Sequence, residues 1–121
     1  MVGKRTLVLG ASPNPTRTAY RAVCLLSEKG IEVIPMGIKK GEINGISIVP
    51  AFEPLKDIDT LTLYISTELQ KEYYDYIISI QPKRVLFNPG TENPALSSLL
   101  TQHYIQWENA CTLVLLSTNQ Y

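Results

Sequence analysis

Gly10-Ala11-Ser12-Pro13-Asn14-Pro15-Thr16-Arg17-Thr18 is the stretch of this 121-residue chain whose groups could act together on a ligand. An apolar run, Thr6-Leu7-Val8-Leu9, stops at the glycine, and a helical pattern begins near Thr18. A strand, a small turn and a helix in this order aim backbone N–H groups and a helix N-terminus at whatever sits above the strand end. That arrangement suits an anion, above all a phosphate. Gly10 has access to backbone angles closed to other residues and leaves room for close approach. Pro13 and Pro15 stiffen the loop, while Ser12, Asn14, Thr16 and Thr18 offer short polar groups for capping or for phosphate oxygens. The plainer reading is an ordinary strand-to-helix connection with two prolines. The anion cradle is the reading carried forward.

The other chemistry-bearing residues do not assemble into a reaction centre. His103 is the lone histidine and falls at the end of a helical pattern, where it caps. Cys24 and Cys111 form neither a disulfide framework nor a metal motif and read as small packing residues. Glu92 lies in a loop without an acid–base partner, and Asp57 and Asp59 flank a strand start. Tyr73, Tyr74 and Tyr76 read as core and helix surface, since no basic field accompanies them. No catalytic or metal-ligating residues are therefore assigned.

These residues must be positioned by a chain of ordinary composition: 45% hydrophobic and 18% charged, with 11 basic against 11 acidic residues. That balance argues against nucleic acid or a membrane surface as partner, because both call for a basic excess. The length fits one domain with a sizeable core. No run is long enough to span a bilayer, and the apolar run after Lys4-Arg5 is too short for a secretory signal. A cytoplasmic protein is the expectation.

In order, the sequence predicts a strand at 5–10 and a helix from Thr18 to Lys29 with Ala19, Ala22, Val23 and Leu26 inward, stopped by Gly30. A strand over 31–35 follows, then a polar loop from Lys39 to Gly45, an extended piece at 46–49 and a weak helical turn near 53–58. The third strand is 59–65. Ser66 or Thr67 caps a helix with Leu69, Tyr73, Tyr76, Ile77 and Ile80 as its core stripe, closed by Pro82. Arg84 to Phe87 is a fourth strand, Asn93 and Pro94 start a helix, and 104–107 is a fifth strand. The apolar tail 110–117 reads as strand by propensity and as helical turn by position.

Alternating strands and helices imply an α/β fold, a Rossmann-like doubly wound sheet of about five mostly parallel strands. Ligands in such sheets sit outside the carboxyl ends of the strands, where the strand order switches. Three loops are expected there: 10–18, 36–45 and 88–93. The G-x-G-x-x-G fingerprint is missing, as are a Walker loop and an acid at the tip of the second strand. Lys39 and Lys40 stand there instead and suit a phosphorylated ribose. An NADP-binding redox or nucleotide sensor acting through a protein partner is one reading of that pattern.

Val8-Leu9-Gly10-Ala11-Ser12-Pro13-Asn14-Pro15, with Arg17 and Tyr20-Arg21, resembles the first strand–helix unit of the small stand-alone CoA-binding proteins. These are similar to the CoA-binding domain of the succinyl-CoA synthetase α subunit. The resemblance continues through 30–35, 41–45, Asn88-Pro89-Gly90-Thr91-Glu92-Asn93 and Cys111. It departs at Met36-Gly37, where the family commonly has Asn-Pro, at Tyr64-Ile65-Ser66, and at Tyr104 in place of a glycine. The resemblance implies a single CoA-binding domain over 1–121 that binds CoA or an acyl-CoA without catalysis of its own. It places Gly10, Ala11 and Ser12 along the pyrophosphate with Asn14 and Arg17 nearby. Lys39, Lys40 and Gly41 would approach the 3′-phosphorylated adenosine, and Asn88, Pro89 and Gly90 would bound the pantetheine.

Overall fold

The computed structural model describes residues 3–121. Thr6–Leu9 forms β1, buried along its whole length as a central strand covered on both faces must be. Thr18–Glu28 forms α1, and its four buried residues are Ala19, Ala22, Val23 and Leu26. Gly30, at φ +76°, ends it in the left-handed conformation that glycine adopts without strain. Val33–Met36 is β2, Thr60–Leu63 β5 and Arg84–Phe87 β6. Gln106–Asn109 is β7. These strands make one sheet in the order β2-β1-β5-β6-β7, every pair parallel. The doubly wound α/β fold is therefore as expected. Leu9 lies opposite Met36 on one side and Leu63 on the other, so three strands end level at the carboxyl edge.

Side chains alternate across the sheet and feed two cores. Leu7, Leu9, Leu61, Leu63, Val85 and Phe87 pack on one face with Ile77, Leu96 and Leu100. Val8 and Leu86 pack on the other with Ala19, Val23, Leu26 and Leu116. Pro94–Gln102 is α4, with Asn93 as its N-cap and Pro94 at the first position. The tail resolves as α5, Thr112–Ser117, so position prevails over strand propensity. It is tied down by polar groups: Thr62 and Thr112 share a buried hydroxyl pair at 2.8 Å, and Asn88 Oδ1 accepts from the Thr112 N–H at 2.9 Å.

Four expectations are corrected. The polar loop 39–45 contains half of a hairpin, β3 (Glu42–Ile43) with β4 (Ile46–Ser47). Asn44 and Gly45, at φ +52° and +82°, make the tight turn that Asn-Gly favours. Residues 53–58 form no helix; Asp57 takes φ +58°, and the segment is held instead by the Tyr76 hydroxyl donating to the Glu53 carbonyl at 2.5 Å. The helix after Ser66 is broken into α2 (Thr67–Gln70), a 3₁₀ turn (Lys71–Tyr73) and α3 (Tyr74–Ile80). The tighter turn shifts the apolar stripe, leaving Leu69 50% exposed and Gln70 buried in its place. The last strand begins at Gln106 because Tyr104, 97% exposed at φ +61°, is the left-handed residue just after the His103 C-cap of α4.

Candidate functional site

The strand order reverses between β1 and β5, the point from which connections run to opposite sides, and a cleft opens there. It holds about 560 Å³, within the range of small-molecule sites. Three segments wall it: the loop after β1 into α1, the loop after β2, and the stretch after β5. Of the residues expected at a site, Gly10, Ala11, Ser12, Arg17 and Lys39 line it. Thr16 and Thr18 of the same loop line it too, with Gly37 and Ile38 of the loop after β2, while Tyr64, Ile65, Leu69, Glu72 and Tyr73 line it from a segment the sequence did not point to.

The loop after β1 is shaped by backbone bonds of its own. The N–H groups of Gly10 and Ala11 both donate to the Met36 carbonyl at 2.9 Å, so neither points freely at a ligand. Gly10 sits at φ +104°, and a Cβ there would lie 2.9 Å from the Tyr64 carbonyl oxygen and from Ile65 Cγ2. Its glycine thus serves the approach of β1 to β5. Asn14 does not line the cleft; its Oδ1 accepts from the Thr16 N–H at 3.0 Å and the Thr16 hydroxyl at 2.8 Å, which folds the loop. What faces the cleft is the start of α1. Arg17, its N-cap, supplies no side-chain acceptor, so the first-turn N–H groups stay open to a ligand. α2 and α4 are capped by Ser66 and Asn93. Arg17 and Lys39 are exposed and make no ion pair among the described residues. Their charge is available.

The loop after β2 comes close for a steric reason. A Cβ on Gly37 would lie 2.1 Å from the Ala11 carbonyl oxygen, so only glycine lets the two loops touch. Gly41 packs on Pro13, and neither it nor Lys40 lines the cleft.

Asn88, Pro89 and Gly90 lie outside the cleft, because β6 is one strand further from β1. Asn88 is buried and consumed: its Nδ2 donates to the Thr62 hydroxyl at 2.6 Å and the Leu63 carbonyl at 2.8 Å. Their loop instead braces the β5 wall from behind. Gln70 Nε2 donates to the carbonyls of Ile65 at 3.0 Å and Thr91 at 2.9 Å. Its Oε1 accepts from Asn93 Nδ2 at 2.8 Å, and the same Nδ2 donates to the Tyr74 hydroxyl at 2.9 Å.

Tyr64 and Tyr73 are among the residues that line the cleft. Burial pushes the Tyr64 phenol up to about 12, softened by the nearby Thr112 and Thr62 hydroxyls. Burial also raises Tyr73, with the Glu72 carboxylate adding to it. Phe52 stacks on Tyr73 with ring centroids 4.7 Å apart, which fixes that ring. Glu92 Oε1 accepts from the Gly90 N–H at 2.8 Å, His103 ends α4 and Cys111 precedes α5. None of these three lines the cleft.

Residues 4–117 match the family model described as a CoA binding domain. A crystal structure described as that of an uncharacterized protein is 46% identical, with a TM-score of 0.95 and 98% of each chain covered. A hypothetical protein from Pyrococcus horikoshii OT3 is 28% identical, with a TM-score of 0.82, 92% of this chain and 80% of that one covered. The structure of cell-free ID.343 from Thermus thermophilus shares the fold at 20% identity and a TM-score of 0.85, covering 98% and 90%. A search of curated proteins gave no match. No described helix is long and apolar enough to cross a membrane.

Proposed function

The chain belongs to the family of CoA-binding domains, and on that premise we propose that its cleft binds CoA or an acyl-CoA, with no catalysis by its own residues. The whole of 1–121 acts in this reading as one binding domain. One observation carries it: the uncapped N-terminus of α1 opens, beside Arg17, into a cleft at the switch in strand order. A diphosphate there meets open N–H groups, the positive end of the helix dipole and a guanidinium suited to paired oxygens. Ser12 adds a hydroxyl. The adenosine extends toward the β2 side, where Lys39 meets its 3′-phosphate, and the pantetheine runs over the β5 side. Asn88, Pro89 and Gly90 act only indirectly, as part of the loop that holds Gln70. The ligand is a small nucleotide; a protein partner is compatible with this reading and nothing depends on one.

A thermal melt with millimolar CoA, dephospho-CoA, NAD and NADP tests the reading. Ligand at a hundred times its Kd adds about 2.7 kcal/mol to stability, enough for a clear shift. CoA is expected to shift the transition most, and a shift with NADP but none with CoA would transfer the site to the sensor reading. Calorimetry at low salt should show CoA bound about tenfold more tightly than dephospho-CoA, an exposed ion pair rather than a buried one. Lys39→Ala should remove most of that preference, and added salt should erode it.

A further inference from the structure

We propose that the wall following β5, made by Ile65, Leu69 and Tyr73 with Glu72 beside them, selects CoA thioesters of uncharged apolar acyl groups over those whose acyl chain ends in a carboxylate. This rests on the CoA reading of the same cleft. On that reading the phosphorylated ribose lies on the Lys39 side, and because β1 lies between β2 and β5, the thiol end of a ligand centred on α1 then falls at this wall. The two sides differ in chemistry. Ile65 lies against Gly10 at the cleft floor, Leu69 is a large apolar side chain left 50% exposed at the lip, and Tyr73 is held by the Phe52 stack. The wall is also rigid, because Gln70 holds the Ile65 carbonyl. Apolar surface fixed open to solvent at a cleft gains when an apolar group covers it.

Glu72 sets the sign of the discrimination. Its neighbour Glu68 pairs with Lys71 at 3.6 Å, whereas Glu72 has no cation within ion-pair distance among the described residues. The cleft's own cations, Arg17 and Lys39, come from the α1 and β2 sides, where the phosphates lie. An acyl chain ending in a carboxylate would therefore bring a second negative charge to an unpaired one. An apolar chain of the same length would not.

Calorimetry of the full chain with CoA, butanoyl-CoA and succinyl-CoA tests this, the two thioesters having four-carbon chains that differ by a terminal carboxylate. Butanoyl-CoA is expected to bind about tenfold more tightly than CoA, three apolar carbons about half covered, and succinyl-CoA no more tightly than CoA. Leu69→Ser should bring the ratio of butanoyl-CoA to CoA affinity close to one. Glu72→Gln should raise succinyl-CoA severalfold relative to CoA. Equal affinities for butanoyl-CoA and CoA in the unmodified protein would overturn the inference and leave the CoA reading standing, as would equal affinities for the two thioesters. An unchanged succinyl-CoA ratio in Glu72→Gln would remove the role of Glu72. Absence of binding by all three ligands would overturn the CoA reading itself.

Discussion

Gly37 shows how a single residue joins two loops. Its backbone does not need a positive φ, yet a Cβ would fall 2.1 Å from the Ala11 carbonyl oxygen, a distance no flexible side chain can relieve. Gly30 is the opposite case: it sits at φ +76° with nothing within 4 Å of a Cβ. Gly37→Ala should therefore cost about 3 kcal/mol or more, against about 1 kcal/mol for Gly30→Ala. Urea unfolding midpoints of the two variants measure the difference, and a Gly37→Ala cost no larger than that of Gly30→Ala would remove the steric account. The helix stop at Gly30 is legible in sequence because it depends on local backbone angles alone. The need for Gly37 is not, because the atom it avoids belongs to a loop 26 positions earlier. Gly10 is intermediate, recognisable as a required glycine but placed against the Tyr64 backbone rather than a ligand.

Among the elements, the buried strands β1, β5 and β6 and the helices α1 and α4 follow from patterns the chain displays within a few residues. Arg84–Phe87 is a short apolar run, and Asn93 with Pro94 starts α4 where cap chemistry puts it. The β5 wall is legible only in part, since its shape depends on Gln70, a residue whose partners lie 5 to 23 positions away. A buried glutamine in an apolar stripe gives no local sign of the carbonyls it will meet. Gln70→Leu should leave the Ile65 and Thr91 carbonyls and Asn93 Nδ2 without this partner, at a cost of about 3 kcal/mol. Hydrogen exchange should show faster opening of amides in 65–73 than in β1. If exchange in 65–73 matches the parent, the brace does not hold the wall.

At the scale of the whole molecule, four tyrosines tie stability to alkaline pH. Burial pushes Tyr64 and Tyr76 up to about 12 and raises Tyr73 and Tyr121, so the fold favours their neutral forms. A group raised above its unfolded value of about 10 stabilises fully below that pH and loses its contribution as pH climbs through the folded value. Stability should therefore hold with respect to these groups up to about pH 10 and fall between about 10 and 12, read as urea midpoints alongside phenolate absorbance. A flat profile through that window would show that the phenols are solvated. The doubly wound sheet was foreseeable from alternation of strands and helices, but the cleft's third wall was not, because alternation does not state which strand adjoins β1. The Met36 carbonyl, meanwhile, already engages the N–H groups of Gly10 and Ala11 at 2.9 Å. The curve of that loop is thus set by the chain's own backbone hydrogen bonds. Ligand capture becomes a rigid-body encounter needing little rearrangement at this loop, and ligands that fit it will differ chiefly in how long they stay rather than in how fast they arrive.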